Sequence, residues 1–157
     1  MQVKLPKMDE NEINNFIKEQ MLCRIAFKGD EYPYMAPFRY VFMNDTLYFH
    51  FTDYGRKMKL LKQDERVCVE IESYQPDLSE YKFIVLKGSL KIVEDPNERK
   101  DAIEKMAEIG KASISKNFLS AHGLRKEEGW TSFSYDKPLT IIKLENVVES
   151  IGLKSFH

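Results

Sequence analysis

The chain has 157 residues and a mass of 18.5 kDa, and its 43% hydrophobic and 12% aromatic content is enough for a packed core, which excludes general disorder. Its 24 basic and 25 acidic residues leave a formal net charge of −1, which argues against a dedicated nucleic-acid binder. A mean hydropathy of −0.47 and the lack of any run of about 18 apolar residues exclude a membrane-spanning helix. No secretory apolar stretch follows the first methionine, so a cytoplasmic protein is expected. Cys23 and Cys68 then read as reduced thiols, each a small buried hydrophobe between apolar neighbours. Those cysteines and His50, His122 and His157 show no metal-ligand spacing, so no zinc site is expected. Without repeats or linkers, residues 1–157 read as a single domain.

The first predicted element is a helix. Asp9 is its N-cap, Glu12 completes a capping box, and Ile13, Phe16 and Ile17 form its apolar stripe. Strands are predicted over 22–27, 34–43, 46–52, 67–73, 82–93 and 139–144, the last with a short extension at Val147 and Val148. Pro33 and Pro37 place the second strand at a sheet edge or make it irregular on one side, and Gly88 marks a bulge or bend in the fifth. A short basic helix follows Gly55. Another is capped by Asp95 and Glu98, has Pro96 in its first turn, turns Ile103, Met106 and Ala107 inward, and ends at Gly110. Residues 111–137 read as a long irregular loop, functional or lying against a partner, with His122 at a helix C-terminus. The fold class is mainly β with peripheral helices: a six-stranded antiparallel, closed or half-closed barrel.

Asn44-Asp45 is a hairpin turn signal, and a symmetric hairpin about it sets a register. One face carries Phe38, Tyr40, Phe42, Leu47, Phe49 and Phe51 and is assigned to the core. The other pairs Val41 with Tyr48, Arg39 with His50, and Pro37 with Thr52, and reads as a polar face. Arg39 and His50 repel when both are charged, so they would sit more comfortably beside an anion or an electron-rich ligand, with His50 neutral near pH 7. His50 is a candidate catalytic residue on this face; alone on a strand it also fits a structural, hydrogen-bonded role. Downstream, Gly55 allows a tight turn and Arg56 and Lys57 begin a helix, an arrangement that suits a phosphate monoester. The same residues also fit a solvated basic helix. Trp130 could cap a ligand or plug a core edge. No Ser-His-Asp order, Walker loop or paired-carboxylate pattern is present.

Taken in order, Cys23-Arg24-Ile25-Ala26, Tyr32-Pro33-Tyr34-Met35-Ala36-Pro37, Leu47-Tyr48-Phe49-His50-Phe51, Gly55-Arg56-Lys57 and Arg66-Val67-Cys68 resemble the pyridoxamine 5'-phosphate oxidase-like FMN-binding split barrels. Within that group the sequence looks most like the nitroimidazole-resistance (Nim) type flavoproteins. The resemblance implies a Greek-key split barrel, a homodimer, and FMN bound at the subunit interface. It implies that Arg56 and Lys57, with Gly55, hold the phosphate. The ring would lie along Pro37, Phe38, Arg39 and Tyr40, largely through their backbone, with His50, Phe51 and Thr52 lining the site and Trp130 covering it. The chain ends Gly152-Leu153-Lys154-Ser155-Phe156-His157 and lacks the Arg-x-His signature of the true pyridoxamine phosphate oxidases, so vitamin B6 oxidation is not expected. Some relatives bind haem or a deazaflavin instead. The function implied is an FMN-dependent oxidoreductase acting on a small electron-poor compound; the alternative is a flavin or haem carrier without turnover.

Overall fold

In the computed structural model, which describes residues 2–115, 117–120, 124 and 126–156, the first helix, α1 (Glu10–Glu19), starts on the predicted reciprocal cap. The Glu12 N–H donates to Asp9 Oδ1 at 2.8 Å, and the Asp9 N–H donates to Glu12 Oε1 at 3.4 Å. Seven strands follow: β1 (Leu22–Phe27), β2 (Tyr34–Arg39), β3 (Val41–Met43), β4 (Thr46–Phe51), β5 (Arg66–Tyr74), β6 (Tyr81–Ile92) and β7 (Thr140–Lys154). Helix α2 (Arg56–Gln63) joins β4 to β5. Between β6 and β7 run α3 (Pro96–Ser113), the single turn α4 (Asn117–Ser120) and a 3-10 segment over Lys126–Ser132 that is kinked at Gly129. The expectations for His122 and His157 fall outside the described residues. Among the described residues, no helix is long and apolar enough to cross a membrane.

The seventh strand arises because the run 34–43, read as one strand, breaks at Tyr40. Up to Arg39 the chain pairs antiparallel with β1; from Val41 it pairs with β4. Tyr40 is fixed at the break from two sides. Its N–H donates to the Met21 carbonyl at 3.0 Å, and its buried hydroxyl donates to the Ile17 carbonyl at 2.6 Å. The sheet order is β2-β1-β5-β6-β7-β4-β3, so the two edge strands are one residue apart in sequence. The sheet must therefore curl until its edges meet. Phe38 on β2 stacks on Phe51 of β4 with ring centroids 5.0 Å apart, although no ladder joins those strands. The result is a barrel closed by side chains along one seam, that is, a split barrel.

The hairpin forms in the expected register at its tip: Val41 with Tyr48, Phe42 with Leu47, and Met43 with Thr46. Asn44 and Asp45 both have positive φ (52° and 57°), as a two-residue hairpin turn of this hand requires. Beyond Tyr48 the register does not continue, because the chain up to Arg39 leaves β4 to pair with β1; His50 keeps only its ladder partner on the other side, Ile141 of β7. Arg39 and His50 are therefore not ladder partners. The inward alternation holds, and Phe38, Tyr40, Leu47, Phe49 and Phe51 all belong to the barrel core.

The face assigned as polar is instead a second buried layer over Arg39, Val41, Tyr48 and His50, and only its Pro37 and Thr52 end reaches solvent. Val41, Tyr48 and Ile141 pack on Ala102, Ile103 and Met106 of α3 and on Trp130 and Phe133. Asp95 caps α3 through the Glu98 N–H at 2.8 Å, but the Glu98 carboxylate does not complete a capping box. It accepts from the Tyr48 hydroxyl at 2.6 Å and from Lys143 Nζ at 3.0 Å, tying the helix to the sheet. Gly88 is the predicted irregularity: the β6–β7 register slips there, and a Cβ would lie 2.7 Å from the Glu145 carbonyl oxygen. Past this bulge β7 runs on as one strand to Lys154, six residues beyond the extension predicted at Val147 and Val148.

Replacing Tyr40 with Phe removes the hydroxyl bond to the last turn of α1 and leaves the fold otherwise intact. Tyr40→Phe should lower unfolding stability by about 1 kcal/mol in urea denaturation. An unchanged midpoint would show that this bond does not hold the strand break.

Candidate functional site

The site is built from the ends of β2 and β4 and the start of α2. Past Phe51 the chain turns out of the sheet, with the Thr52 hydroxyl donating to the Tyr54 carbonyl at 3.0 Å. Gly55 occupies φ 95°, a conformation side chains disfavour, and a Cβ there would meet nothing within 4 Å. It is the N-cap of α2 and offers no capping side chain, and the first turn contains no acid. The leading N–H groups of the helix therefore have no capping side-chain acceptor. Arg56 is exposed, its guanidinium 5.1 Å from the Tyr34 ring centroid; Lys57 is half-buried, its ammonium 5.0 Å from the Phe38 ring centroid. Among the described residues neither cation forms an ion pair. Two such cations beside an uncapped helix start are an arrangement chemically able to take a doubly charged anion.

From this end the outward face of β2 and β4 runs inward by two-residue steps. Pro37 is exposed and Thr52 half-buried; two residues on, Arg39 and His50 are each only 8% exposed. Phe38, Tyr40 and Phe51 point into the barrel, so any part they play in holding a ligand comes from their backbone. The backbone is available on β2, an edge strand whose ladder to β1 uses one side only.

The inner end is roofed. Arg39 Nη2 donates to the Met106 carbonyl at 2.7 Å, and its guanidinium lies 5.2 Å from the Trp130 ring centroid. His50 meets Phe133 edge to face at 5.1 Å. Burial brings the Arg39 pKa down to about 10, which still leaves it charged at neutral pH. Trp130 rests on α3 at Gly110, where a Cβ would come within 2.5 Å of the indole. The glycine predicted to stop α3 is thus interior to it, and its missing side chain makes room for the tryptophan. Nothing local in the sequence pairs these two residues.

The structure therefore brings the predicted residues into two groups on one surface. Gly55, Arg56, Lys57, Pro37 and Thr52 lie at the open end; Arg39, His50 and Trp130 lie at the closed end. Of the thiols, Cys23 is buried, with burial pushing its pKa well up, and Cys68 is half-buried.

A sequence profile of the pyridoxamine 5'-phosphate oxidase family matches residues 9–126. A search of curated proteins gave no significant match. Among solved structures, the chain is similar to a FAD-binding protein from Mesorhizobium loti, with a TM-score of 0.71 and 14% identity over 98% of each chain. It is similar to a FAD-binding protein from Mycobacterium smegmatis, with a TM-score of 0.64 and 14% identity over 96% of this chain and 98% of that one. It is also similar to a NimC/NimA family protein from Clostridium acetobutylicum, with a TM-score of 0.59 and 15% identity over 94% of this chain and 85% of that one. At these identities the likeness is one of fold.

Trp130 is the only tryptophan in the chain, so its fluorescence reports the roof directly. Gly110→Ala should displace the indole and shift its emission to the red while far-ultraviolet circular dichroism stays unchanged. An unshifted emission would show that the helix yields rather than the roof.

Proposed function

The chain belongs to the pyridoxamine 5'-phosphate oxidase family, and from that premise we propose that it binds FMN and uses it to reduce a small electron-poor compound. One observation carries the reading: the acid-free, uncapped start of α2, where Arg56 and Lys57 stand unpaired beside the open edge of β2. A single phosphate monoester matches that pair of cations. Two similar solved structures are of FAD-binding proteins, which favours a flavin over haem or a deazaflavin.

In this reading Gly55, Arg56 and Lys57 hold the phosphate. The main chain of Pro37, Phe38, Arg39 and Tyr40, with Phe51 and Thr52, holds the ring. When bound, the flavin supplies the electron chemistry; the protein supplies binding, orientation and exclusion of water. The Arg39 charge behind the strand would favour an anionic reduced ring. His50, two residues inward from Thr52, would donate a hydrogen bond to the substrate or accept a proton from it. Trp130 and Phe133 keep water from that end.

Leu22, Met35 and Tyr54, at 54%, 64% and 67% exposure, leave apolar surface around the site. A second copy of the chain would cover it, which gives the homodimer with the cofactor between subunits. The second reading, a flavin carrier without turnover, is favoured by the roof itself, which leaves little room beside His50. Steady-state turnover with NADH, NADPH or a reduced deazaflavin as donor separates the two.

The phosphate assignment is tested by comparing ligands. Arg56→Ala should weaken FMN by roughly one to two decades, the worth of a charge-assisted contact, and riboflavin far less. Lys62→Ala, at the other end of α2, should be nearly silent. Equal losses for FMN and riboflavin would contradict the assignment. For His50, the Asn variant should keep the fold and the FMN affinity and lower reductase turnover. Unfolding would make His50 structural, and unchanged turnover would remove its catalytic role.

A further inference from the structure

We infer that the outer face of β1, β5, β6 and the far half of β7 is where a second copy of the chain docks, with Val148 of each subunit seated in the groove beside Gly88 of the other. This rests on the homodimer proposed above and adds where its subunits meet. The ladder registers lay the face out in rows. Met35, Ala26, Cys68, Lys87 and Glu149 form one row across five strands, and Pro37, Arg24, Glu70, Val85 and Ile151 form the next. None of these ten residues is buried. The layer of α3, Trp130 and Phe133 that covers β3 and β4 has no member on β1, β5 or β6. With strands about 4.8 Å apart and about 3.4 Å per residue, the face measures on the order of 25 by 20 Å, enough for the centre of a standard interface.

The face carries both a knob and a hollow. Between the pairs Ser89–Glu145 and Lys87–Glu149, one residue of β6, Gly88, stands opposite three of β7, Asn146, Val147 and Val148. Asn146 turns at φ 51°, and the insertion leaves Val147 44% and Val148 82% exposed. Beside it, Ala26, Cys68, Gly88 and Val148 line a groove of about 430 Å³. A surface that holds both halves of an apolar fit matches its own copy through a twofold axis. Charge agrees. Arg24, Lys28, Arg66 and Lys87 are matched on or beside this face by Glu70, Glu72, Glu145 and Glu149, and each of the eight is ion-paired within the chain. A partner can therefore cover the face without isolating a charge, and a second copy meets no excess of its own sign. A nucleic acid or an anionic lipid surface finds no net positive field there.

The test uses the full-length protein as purified. Sedimentation equilibrium reads the assembly, and alkylation of Cys68 by N-ethylmaleimide reads the face. Wild type should sediment as a dimer. Val148→Glu changes a side chain too exposed to matter to the fold of one subunit, and it should raise the dimer dissociation constant roughly a hundredfold, because two unpaired carboxylates enter apolar grooves. Ile92→Glu, at a 49% exposed position in a separate cleft with Glu94 and Asp95, should leave assembly unchanged. Cys68, half-buried in the free face, should alkylate at least tenfold more slowly in the wild-type dimer than in Val148→Glu; Cys23 is buried in the subunit core. A dimer unmoved by Val148→Glu, or equal Cys68 alkylation in the two proteins, means that the subunits meet elsewhere and overturns the proposal while the homodimer stands. A wild type that is monomeric at every concentration overturns both. Neither readout involves FMN, so the phosphate assignment stands or falls separately.

Discussion

Tyr40 separates two strands that lie at opposite edges of one sheet, and most of the architecture follows from that adjacency. A single residue cannot span an open seven-stranded sheet, so the sheet has to curl until β2 and β3 meet. The residue at the join needs its main chain and side chain anchored; Ile17 in the last turn of α1 and Met21 just beyond the helix provide the two anchors. Closure then sorts every neighbouring side chain by parity. Phe38, Phe49 and Phe51 fill the interior, while Pro37, Arg39, His50 and Thr52 are left outside.

The outside is not uniform. At one end it meets the start of α2, where Gly55 removes both a cap and a Cβ and two cations rest on aromatic rings with no ion pair among the described residues. At the other it is covered by α3 and the segment before β7, held in place by buried contacts. Arg99 adds to that hold by donating to the carbonyls of Tyr135, Lys137 and Leu139. One surface thus runs from two cations at an uncapped helix start to an enclosed pocket holding the buried Arg39. That gradient is the physical basis for placing a long ligand with a phosphate at one end along β2.

Much of this was legible in the sequence because it depends on local rules. The Asp9 cap, the Asn44-Asp45 turn, the Gly88 bulge and the inward phenylalanines each follow from neighbours within a few residues. So does the basic helix start after Gly55. What was not legible depends on partners distant in the chain. The break at Tyr40 leaves no mark in composition, because both halves of the run remain strand-like and only their partners change. Arg39 and His50 look like surface residues until α3 is placed over them. Gly110 carries a helix-stop signature, and its actual role is set by Trp130, twenty residues away in the chain. The continuity of β7 through Glu145 and Asn146 and its run beyond Val148 to Lys154 were hidden by the polar residues Glu145, Asn146 and Glu149, which interrupt the apolar pattern.

The central claim is that the surface from Arg56 and Lys57 along β2 holds a flavin. The most direct measurement is the visible absorbance spectrum of the protein after saturation with FMN and removal of free ligand. A retained flavin spectrum, lost when Arg56 and Lys57 are both replaced by Ala, is the result this account predicts. A protein that remains colourless after exposure to FMN and FAD alike, or one that carries a haem Soret band instead, would contradict it.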